Sequence, residues 1–268
     1  MERAFYGEKA LLVKNCVFDG PADGESAFKE CSDIRIEESV FNLRYPLWHD
    51  RGLRISGSEL TKNCRAALWY SDAVEIVNTK LHGVKALRES SDVSIAESDI
   101  VSDEFGWSVR NLIMNRCTAE SEYFLLRGES LSLTDVQFKG KYSFQYTKDV
   151  TVEHCVLDTK DAFWQARNET IRNSVVKGEY LAWYSDGLTL VNCRIIGTQP
   201  LCYCTNLKLI DCEMIDTDLA FERSHVEATI TTPVVSIKNP LSGTIYVPSV
   251  GEIIRDVDNA AGKIVLQK

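Results

Sequence analysis

The sequence predicts an all-β protein, a single-stranded right-handed parallel β-helix of about 11 coils with nineteen residues each. Apolar residues recur every nineteen residues along most of the chain. Each repeat also contains two short alternating segments separated by a residue suited to a corner, and all five tryptophans share one repeat position. We expect the chain of 268 residues to form one domain.

The first element of each coil is a strand that starts at repeat position 1, where apolar residues recur. Position 3 is apolar as well, so that 23 of the 24 residues at these two positions are apolar and Glu169 is the exception. This alternation is typical of a strand with one buried face. The residues at position 1 are Leu11, Ile34, Leu53, Val74, Val93, Leu112, Leu131, Val150, Glu169, Leu188, Leu207 and Val226.

The second element is a strand at positions 6 to 8, whose alternation is out of phase with that of the first strand. A corner is therefore expected at position 5, which carries Asn15, Asn78, Asn173 and Asn192, a residue type that tolerates the left-handed conformation. Short strands of this kind bury their inner faces only when successive turns stack. A leucine-rich repeat is disfavoured, because the segments after position 8 lack its L-x-x-L-x-L-x-x-N pattern.

Residues 11–232 are expected to form the coils, with an N-terminal cap at 1–10 and a C-terminal cap or tail at 233–268. The period fades after Val226, and Pro233, Pro240 and Gly243 punctuate the remaining segment. Caps are expected because the ends of a β-helix expose unpaired backbone groups. With coils about 4.8 Å apart, the predicted rod is roughly 50 Å long.

Composition and charge argue against several classes of function. The net charge of −9 and the absence of a basic block make nucleic acid an unexpected partner, and no apolar run is long enough to span a membrane. The first residues lack the apolar segment of a secretory signal, and nine cysteines without a C-x-x-C pair suit a reducing compartment, so we expect a cytoplasmic protein. Four scattered histidines predict neither a metal site nor a cofactor. Five of the cysteines occupy position 6, where we interpret them as small buried residues.

The third segment of each coil contains the tryptophans, which lie at position 15 as Trp48, Trp69, Trp107, Trp164 and Trp183. We expect these rings to form an inward ladder. Positions 12, 14 and 16 then face outward, and the apolar residues of position 14 form an exposed stripe with a border of tyrosines and charges. Because positions 13 and 14 are both apolar, the alternative stays open that position 14 faces inward and the tryptophans form an outer platform.

The outward border predicts a saccharide-binding groove, since a sugar offers apolar faces for stacking and hydroxyl groups for hydrogen bonds. The candidate binding residues are Glu104, Arg127, Lys141, Tyr142, Tyr146, Gln165, Tyr180, Tyr184, Gln199 and Tyr203.

Catalysis is a second possibility at the same surface. Asp161 and Glu179 lie in neighbouring coils and are candidates for the two carboxylates of a glycoside hydrolase. Lys160 is a candidate base for a polysaccharide lyase. The coils from Val74 to Val226 contain no insertion that could wall a deep notch, which favours binding over catalysis.

Four stretches in consecutive coils align position for position. They are GKYSFQY at 140–146, TKDAFWQ at 159–165, GEYLAWY at 178–184 and GTQPLCY at 197–203. Similar stretches elsewhere are KALRE at 85–89, EFGW at 104–107 and LAFE at 219–222. Over nearly the whole chain these stretches resemble a bacterial family known only as a domain of unknown function, which is grouped with the pectin-lyase-like right-handed β-helices. The resemblance implies the β-helix fold and brings no reaction or catalytic residue with it.

Carbohydrate binding or processing through an exterior tyrosine-lined groove is therefore the predicted function. The alternative is a non-catalytic interaction rod that forms a homo-oligomer or docks a protein partner through its apolar stripe.

Overall fold

The computed structural model describes residues 3–20 and 26–267. Within these ranges the chain consists of short β-strands and turns, without a helix. No helix among the described residues is long and apolar enough to cross a membrane. The chain divides into two compact units, unit 1 at Met1–Gln137 and unit 2 at Phe138–Lys268. In each unit, strands pair in parallel with strands one repeat away, which confirms the predicted parallel β-helix.

Strands of the first kind start near repeat position 1. In unit 1 they are Leu12–Lys14, Arg35–Glu37, Arg51–Ser56, Asp72–Val77, Ser91–Ala96, Arg110–Asn115 and Glu129–Thr134. In unit 2 they are Lys148–Glu153, Arg167–Arg172, Asp186–Val191, Leu207–Ile215, Val226–Ile230, Thr244–Val247 and Lys263–Leu266.

Strands of the second kind follow the corner. In unit 1 they are Val17–Asp19, Val40–Asn42, Glu59–Leu60, Lys80–Leu81, Asp99–Val101 and Thr118–Ser121. Gln137–Gly140 is a further strand. In unit 2 they are Val156–Asp158, Val175–Lys177 and Arg194–Ile196, and the end of Leu207–Ile215 continues the set.

The third segment of each coil is shorter and is largely made of turns. Its strands in unit 1 are Leu47–Trp48, Leu68–Trp69, Leu87–Arg88, Glu104–Phe105 and Tyr123–Phe124. Unit 2 contains Val234–Lys238 and Val250–Ile254, which pair with each other in parallel.

The register confirms the nineteen-residue period. Val93 pairs with Val74 on one side and with Leu112 on the other. The corner at position 5 is confirmed as well, because Asn78, Asn173 and Asn192 all adopt a left-handed φ between 47° and 50°. Local residue type therefore places the bend where the hydrophobic pattern changes phase.

The number of coils is larger than predicted, about 13 rather than 11. Thr244–Val247 and Lys263–Leu266, which lie in the segment predicted as a C-terminal cap, pair in parallel as further coils. At the other end, the amide of Phe5 donates to the carbonyl of Ala27 (2.8 Å), and Lys9 forms a parallel bridge with Ser32. Coil-to-coil pairing thus extends into both segments that the sequence predicted as caps.

The core of each unit is a set of stacked apolar columns. Val74, Ile76 and Leu81 are at most 2% exposed, as expected for positions 1, 3 and 8. Ring stacks occur in the same interior, with Phe144 and Phe163 of unit 2 separated by 4.6 Å at an interplanar angle of 3°. Burying such side chains contributes about 1.5–3 kcal/mol each.

The orientation of the third segment differs from the expected one. Position 14 is buried, with Leu47, Leu68 and Phe163 at 0% exposure, whereas the tryptophans at position 15 are half-buried. The predicted outward apolar stripe, and with it the surface proposed for oligomer formation or protein docking, is therefore wrong. The alternative, with the tryptophan column outside, is correct.

In unit 2, backbone conformation explains this error. In the coils between residues 142 and 203, positions 12, 14 and 16 adopt left-handed φ values, as at Tyr142 (38°), Phe144 (56°) and Tyr146 (58°), whereas in the unit 1 coils of Leu47, Leu68 and Leu87 only position 16 does. Side chains alternate between faces only in an extended strand, and a left-handed residue at every second position breaks that rule. Positions 13 and 14 can then both point inward, as Ser143 and Phe144 do.

The tryptophan side chains form hydrogen bonds between neighbouring coils in the third segment. The indole Nε1–H of Trp164 donates to the carbonyl of Tyr180 (2.6 Å), and Trp183 does the same to Gln199 (2.8 Å). The acceptor is always position 12 of the next coil, and Gln145 fulfils the same role through its amide, which donates to the carbonyl of Asp161 (2.9 Å). Where position 15 is Trp or this Gln, its side chain therefore adds a hydrogen bond between neighbouring coils.

Small polar residues build a second kind of ladder inside the coils. At position 6, the amide of Ser39 donates to the hydroxyl of Ser58 (3.1 Å) and the amide of Thr79 to that of Ser98 (3.1 Å). Cysteines share this column, and Cys117 and Cys212 are at most 2% exposed, which fits the interpretation of small buried residues.

Two acidic side chains lie buried in the columns, Asp50 in a column of serines and Glu169 in an apolar one. Asp50 of unit 1 is 2% exposed; its Oδ1 accepts the amide of Cys31 (2.8 Å), while Oδ2 has no hydrogen-bond partner among the described residues. Burial raises the pKa of the Asp50 carboxyl to about 8. Glu169 of unit 2, the exception at position 1, is 1% exposed and accepts the hydroxyl of Thr147 (2.5 Å). Burial raises its pKa well above the usual range.

We predict that Asp50→Ser stabilises the protein at alkaline pH. As pH rises from about 4 to about 8, the unfolded chain loses the Asp50 proton while the folded chain keeps it, so the free energy of unfolding falls, by at most roughly 5 kcal/mol. Serine still accepts the Cys31 amide, as Ser71 accepts that of Asp50. Urea unfolding between pH 5 and pH 9 should show a flatter profile for the variant. Asp103→Ser, which removes an exposed carboxylate, serves as the control, and identical profiles for Asp50→Ser and the parent would refute the prediction.

We predict that Trp164→Phe lowers the free energy of unfolding by about 1–2 kcal/mol, since the ring stays aromatic while the Tyr180 carbonyl loses its donor. Trp107→Phe is the matched control. The Trp107 indole lies 3.4 Å from its carbonyl acceptor, so its loss should lower the free energy of unfolding less. Urea unfolding of both variants decides the point. Equal losses would mean that ring size, rather than the hydrogen bond, determines stability.

Candidate functional site

The predicted site residues fall into both units. Glu104 and Arg127 belong to unit 1, where Glu104 pairs with Lys85 (3.2 Å) and Arg127 is exposed. The others belong to unit 2. Among these, Lys141, Tyr146, Gln165, Glu179 and Tyr184 are exposed, Tyr142, Lys160, Tyr180, Gln199 and Tyr203 are half-buried, and Asp161 is buried.

The structure brings five aromatic residues of unit 2 together, which we call the unit 2 cluster: Trp164, Tyr180, Trp183, Tyr184 and Tyr203. Trp164 stacks on Trp183 (5.5 Å, 5°), and Tyr184 stacks on Tyr203 (4.8 Å, 12°). Tyr180 and Tyr203 each meet Trp183 edge-on, at 5.3 and 5.4 Å. Three of the tyrosines predicted for the site therefore surround Trp183, which the sequence analysis expects in the interior.

The repeat geometry determines which ring surfaces reach solvent. Parallel strands are about 4.8 Å apart, which is also the distance of stacked rings, so aromatic side chains in one column cover each other's faces. Tyr184 is the first ring of its pair, because the preceding residue in the column is Gln165. It is 54% exposed although Tyr203 covers one face. Tyr184 is thus the most accessible ring of the cluster, whereas the other four rings are half-buried.

Ion pairs border the cluster on two sides. Lys160 Nζ lies 3.2 Å from Glu179 Oε2 and 5.8 Å from the centre of the Tyr180 ring. On the other side, Lys238 Nζ lies 3.1 Å from Glu222 Oε1. Hydrogen bonds to these carboxylates raise the pKa of both lysines, so the two amines stay charged at neutral pH, each beside one carboxylate.

The predicted catalytic residues are close to one another in the chain fold but differ in environment. Asp161 is 8% exposed; burial raises the pKa of its carboxyl, Lys160 opposes this shift and Glu179 adds to it. Its backbone amide donates to the carbonyl of Glu179 (3.0 Å). A raised pKa suits a general acid. Glu179, the intended partner, forms the ion pair with Lys160, and the catalytic roles of these three residues stay predictions.

Sequence analysis missed two contributors to this surface. The tryptophans were assigned to the interior, although their shared repeat position was the signal that they act together. Lys238 was assigned to the tail, where the repeat interval changes and residue columns cannot be extrapolated. The structure places its amine beside Glu222 because the amide of Lys238 pairs with the carbonyl of Ala220 (3.0 Å).

Solved structures with similar folds include PfbA, a surface adhesin of Streptococcus pneumoniae, with 11% identity and a TM-score of 0.38 over 76% of this chain. The present chain spans 63% of the length of that protein. An endo-xylogalacturonan hydrolase from Aspergillus tubingensis is 8% identical, with a TM-score of 0.29 over 88% of this chain and 82% of its own. Both TM-scores lie below 0.5, and neither resemblance supports a function for this chain.

No curated protein matches the sequence. A family model described as "Protein of unknown function (DUF3737)" matches residues 1–266, which is nearly the whole chain. The chain therefore belongs to the DUF3737 family.

Proposed function

We propose that the protein binds a neutral saccharide at the unit 2 cluster. The observation that carries this proposal is Tyr184, whose ring is 54% exposed although one face is stacked on Tyr203 at 4.8 Å. An aromatic face held rigidly by a second ring is the surface on which the apolar side of a pyranose stacks, because it loses little conformational entropy on binding.

Hydrogen-bonding groups surround that face. Gln165, the exposed neighbour of Tyr184 in the same column, offers an amide donor and an amide acceptor for sugar hydroxyls. Glu179 and Glu222 offer carboxylate oxygens on either side of the cluster. Such a combination of one rigid apolar surface and several polar groups is typical of a small-ligand site.

Charge favours a neutral ligand over an acidic one. Each bordering carboxylate is already paired with a lysine, Glu179 with Lys160 and Glu222 with Lys238, so neither lysine is an uncompensated cation for a uronate. The net charge of −9 further disfavours polyanionic saccharides. In this proposal Asp161, Glu179 and Lys160 form the border of a binding site and need no catalytic step.

We predict that Tyr184→Ala weakens saccharide binding at this cluster at least tenfold and leaves folding intact, because the side chain is mostly exposed. Cellohexaose and xylohexaose are the neutral probes, and oligogalacturonate is the acidic comparison. A probe at a hundred times its dissociation constant stabilises the protein by about 2.7 kcal/mol, which is a measurable rise in Tm. The variant should lose the part of this rise that the unit 2 site contributes.

Tyr246→Ala is the matched control, since Tyr246 is a 38% exposed tyrosine of unit 2 outside the cluster. Its response to the probes should equal that of the parent. The proposal fails if no neutral probe raises Tm, if Tyr184→Ala keeps the full response, or if Tyr184→Ala does not fold.

A further inference from the structure

Unit 1 contains an aromatic arrangement that closely matches the unit 2 cluster. His49 and Tyr70 stack at 4.9 Å with an interplanar angle of 17°, compared with 4.8 Å and 12° for Tyr184 and Tyr203. Both pairs occupy repeat position 16 in two consecutive coils. Tyr70 is 38% exposed and His49 is exposed, so this stack also lies on the surface.

The rings around the stack match as well. Tyr45 meets Trp48 edge-on at 5.4 Å and 68°, as Tyr180 meets Trp183 at 5.3 Å and 74°. Trp48 lies 6.5 Å from the His49 ring, and Trp183 lies 6.4 Å from Tyr184. In both units, therefore, one tryptophan is flanked by a tyrosine from position 12 and by the first ring of the stacked pair.

Both stacks have a glutamate as their next neighbour in the column. The residue after Tyr70 in its column is Glu89, and the residue after Tyr203 is Glu222. Glu89 Oε1 lies 3.3 Å from Arg88 Nε, just as Glu222 pairs with Lys238. Each stack thus ends beside a carboxylate whose charge is balanced by a cation.

Arg88 is held in place by aromatic rings. Its guanidinium lies 5.1 Å from the centre of the Trp69 ring and 4.9 Å from that of Trp107, which are its neighbours in the position-15 column. Cation–π contacts on both faces restrict the guanidinium and orient its edge, from which it pairs with Glu89. The unit 1 arrangement is thereby pre-organised.

We propose that unit 1 carries a second saccharide-binding site, formed by Tyr45, Trp48, His49, Tyr70 and Glu89. The ligand class is that of the unit 2 cluster, so this inference rests on the proposed function. The chain then binds two neutral saccharides, one in each unit. The two sites differ in one ring of the stack, imidazole in place of phenol, and we expect their affinities to differ.

Isothermal titration calorimetry of the full chain tests this inference, with whichever of cellohexaose and xylohexaose gives the larger rise in Tm as the probe. The expected stoichiometry is two for the parent, one for Tyr184→Ala and one for His49→Ala. The double variant should bind none. Tyr70→Ala provides a second variant for unit 1, and we expect a stoichiometry of one.

His49→Tyr recreates the tyrosine pair of unit 2 and should keep both sites. Ile113→Ala, which shortens a 58% exposed side chain of unit 1 that is not part of the proposed second site, should leave the stoichiometry at two. If the parent binds one saccharide, and Tyr184→Ala abolishes this binding while His49→Ala leaves it unchanged, the second site is refuted and the proposed function is kept. Absence of binding in the parent overturns both.

Discussion

In-register hydrogen bonding between coils is the constraint on which the rest of the structure depends. Once Val93 pairs with Val74 and Leu112, every other residue of that coil lies about one strand spacing from its equivalents nineteen residues away. Identical positions therefore form columns, and a side chain is stable only if it tolerates a copy of its own kind as neighbour. Leucine, phenylalanine, serine and asparagine meet this condition because they pack or hydrogen-bond with themselves.

The same constraint explains why a few polar residues are costly. The hydroxyl of a buried serine accepts a hydrogen bond from an amide of the preceding coil and donates one to the carbonyl two residues earlier, as in Ser58. The hydroxyl is thus satisfied both as an acceptor and as a donor. Asp50 in such a column uses Oδ1 and leaves Oδ2 without a described partner. Among the described residues, the column offers one donor at this position, so the second carboxyl oxygen has none. Because the carboxyl keeps its proton, no unpaired negative charge is buried.

The period, the position-5 corners and the buried cysteines could be predicted because each depends on residue type at a fixed spacing. The inward direction of position 14 could not be predicted; in unit 2 it accompanies left-handed backbone at Tyr142, Phe144 and Tyr146, residue types without a preference for that conformation. The later coils could not be counted either, because Ala228 pairs with Ile245, only seventeen residues on. Of the candidate site, the tyrosines were found and their tryptophan and Lys238 neighbours were not.

Column geometry also limits where an aromatic β-helix can bind a ligand by stacking. Within a run of rings, each face is covered by the next coil, so a long uninterrupted column exposes only edges. A ring that follows a polar residue in its column, as Tyr184 follows Gln165 and His49 follows Glu30, has no aromatic neighbour on that side. Interruptions of the aromatic pattern, which look like imperfections of the repeat, are therefore the positions at which such a surface can recognise a flat apolar ligand.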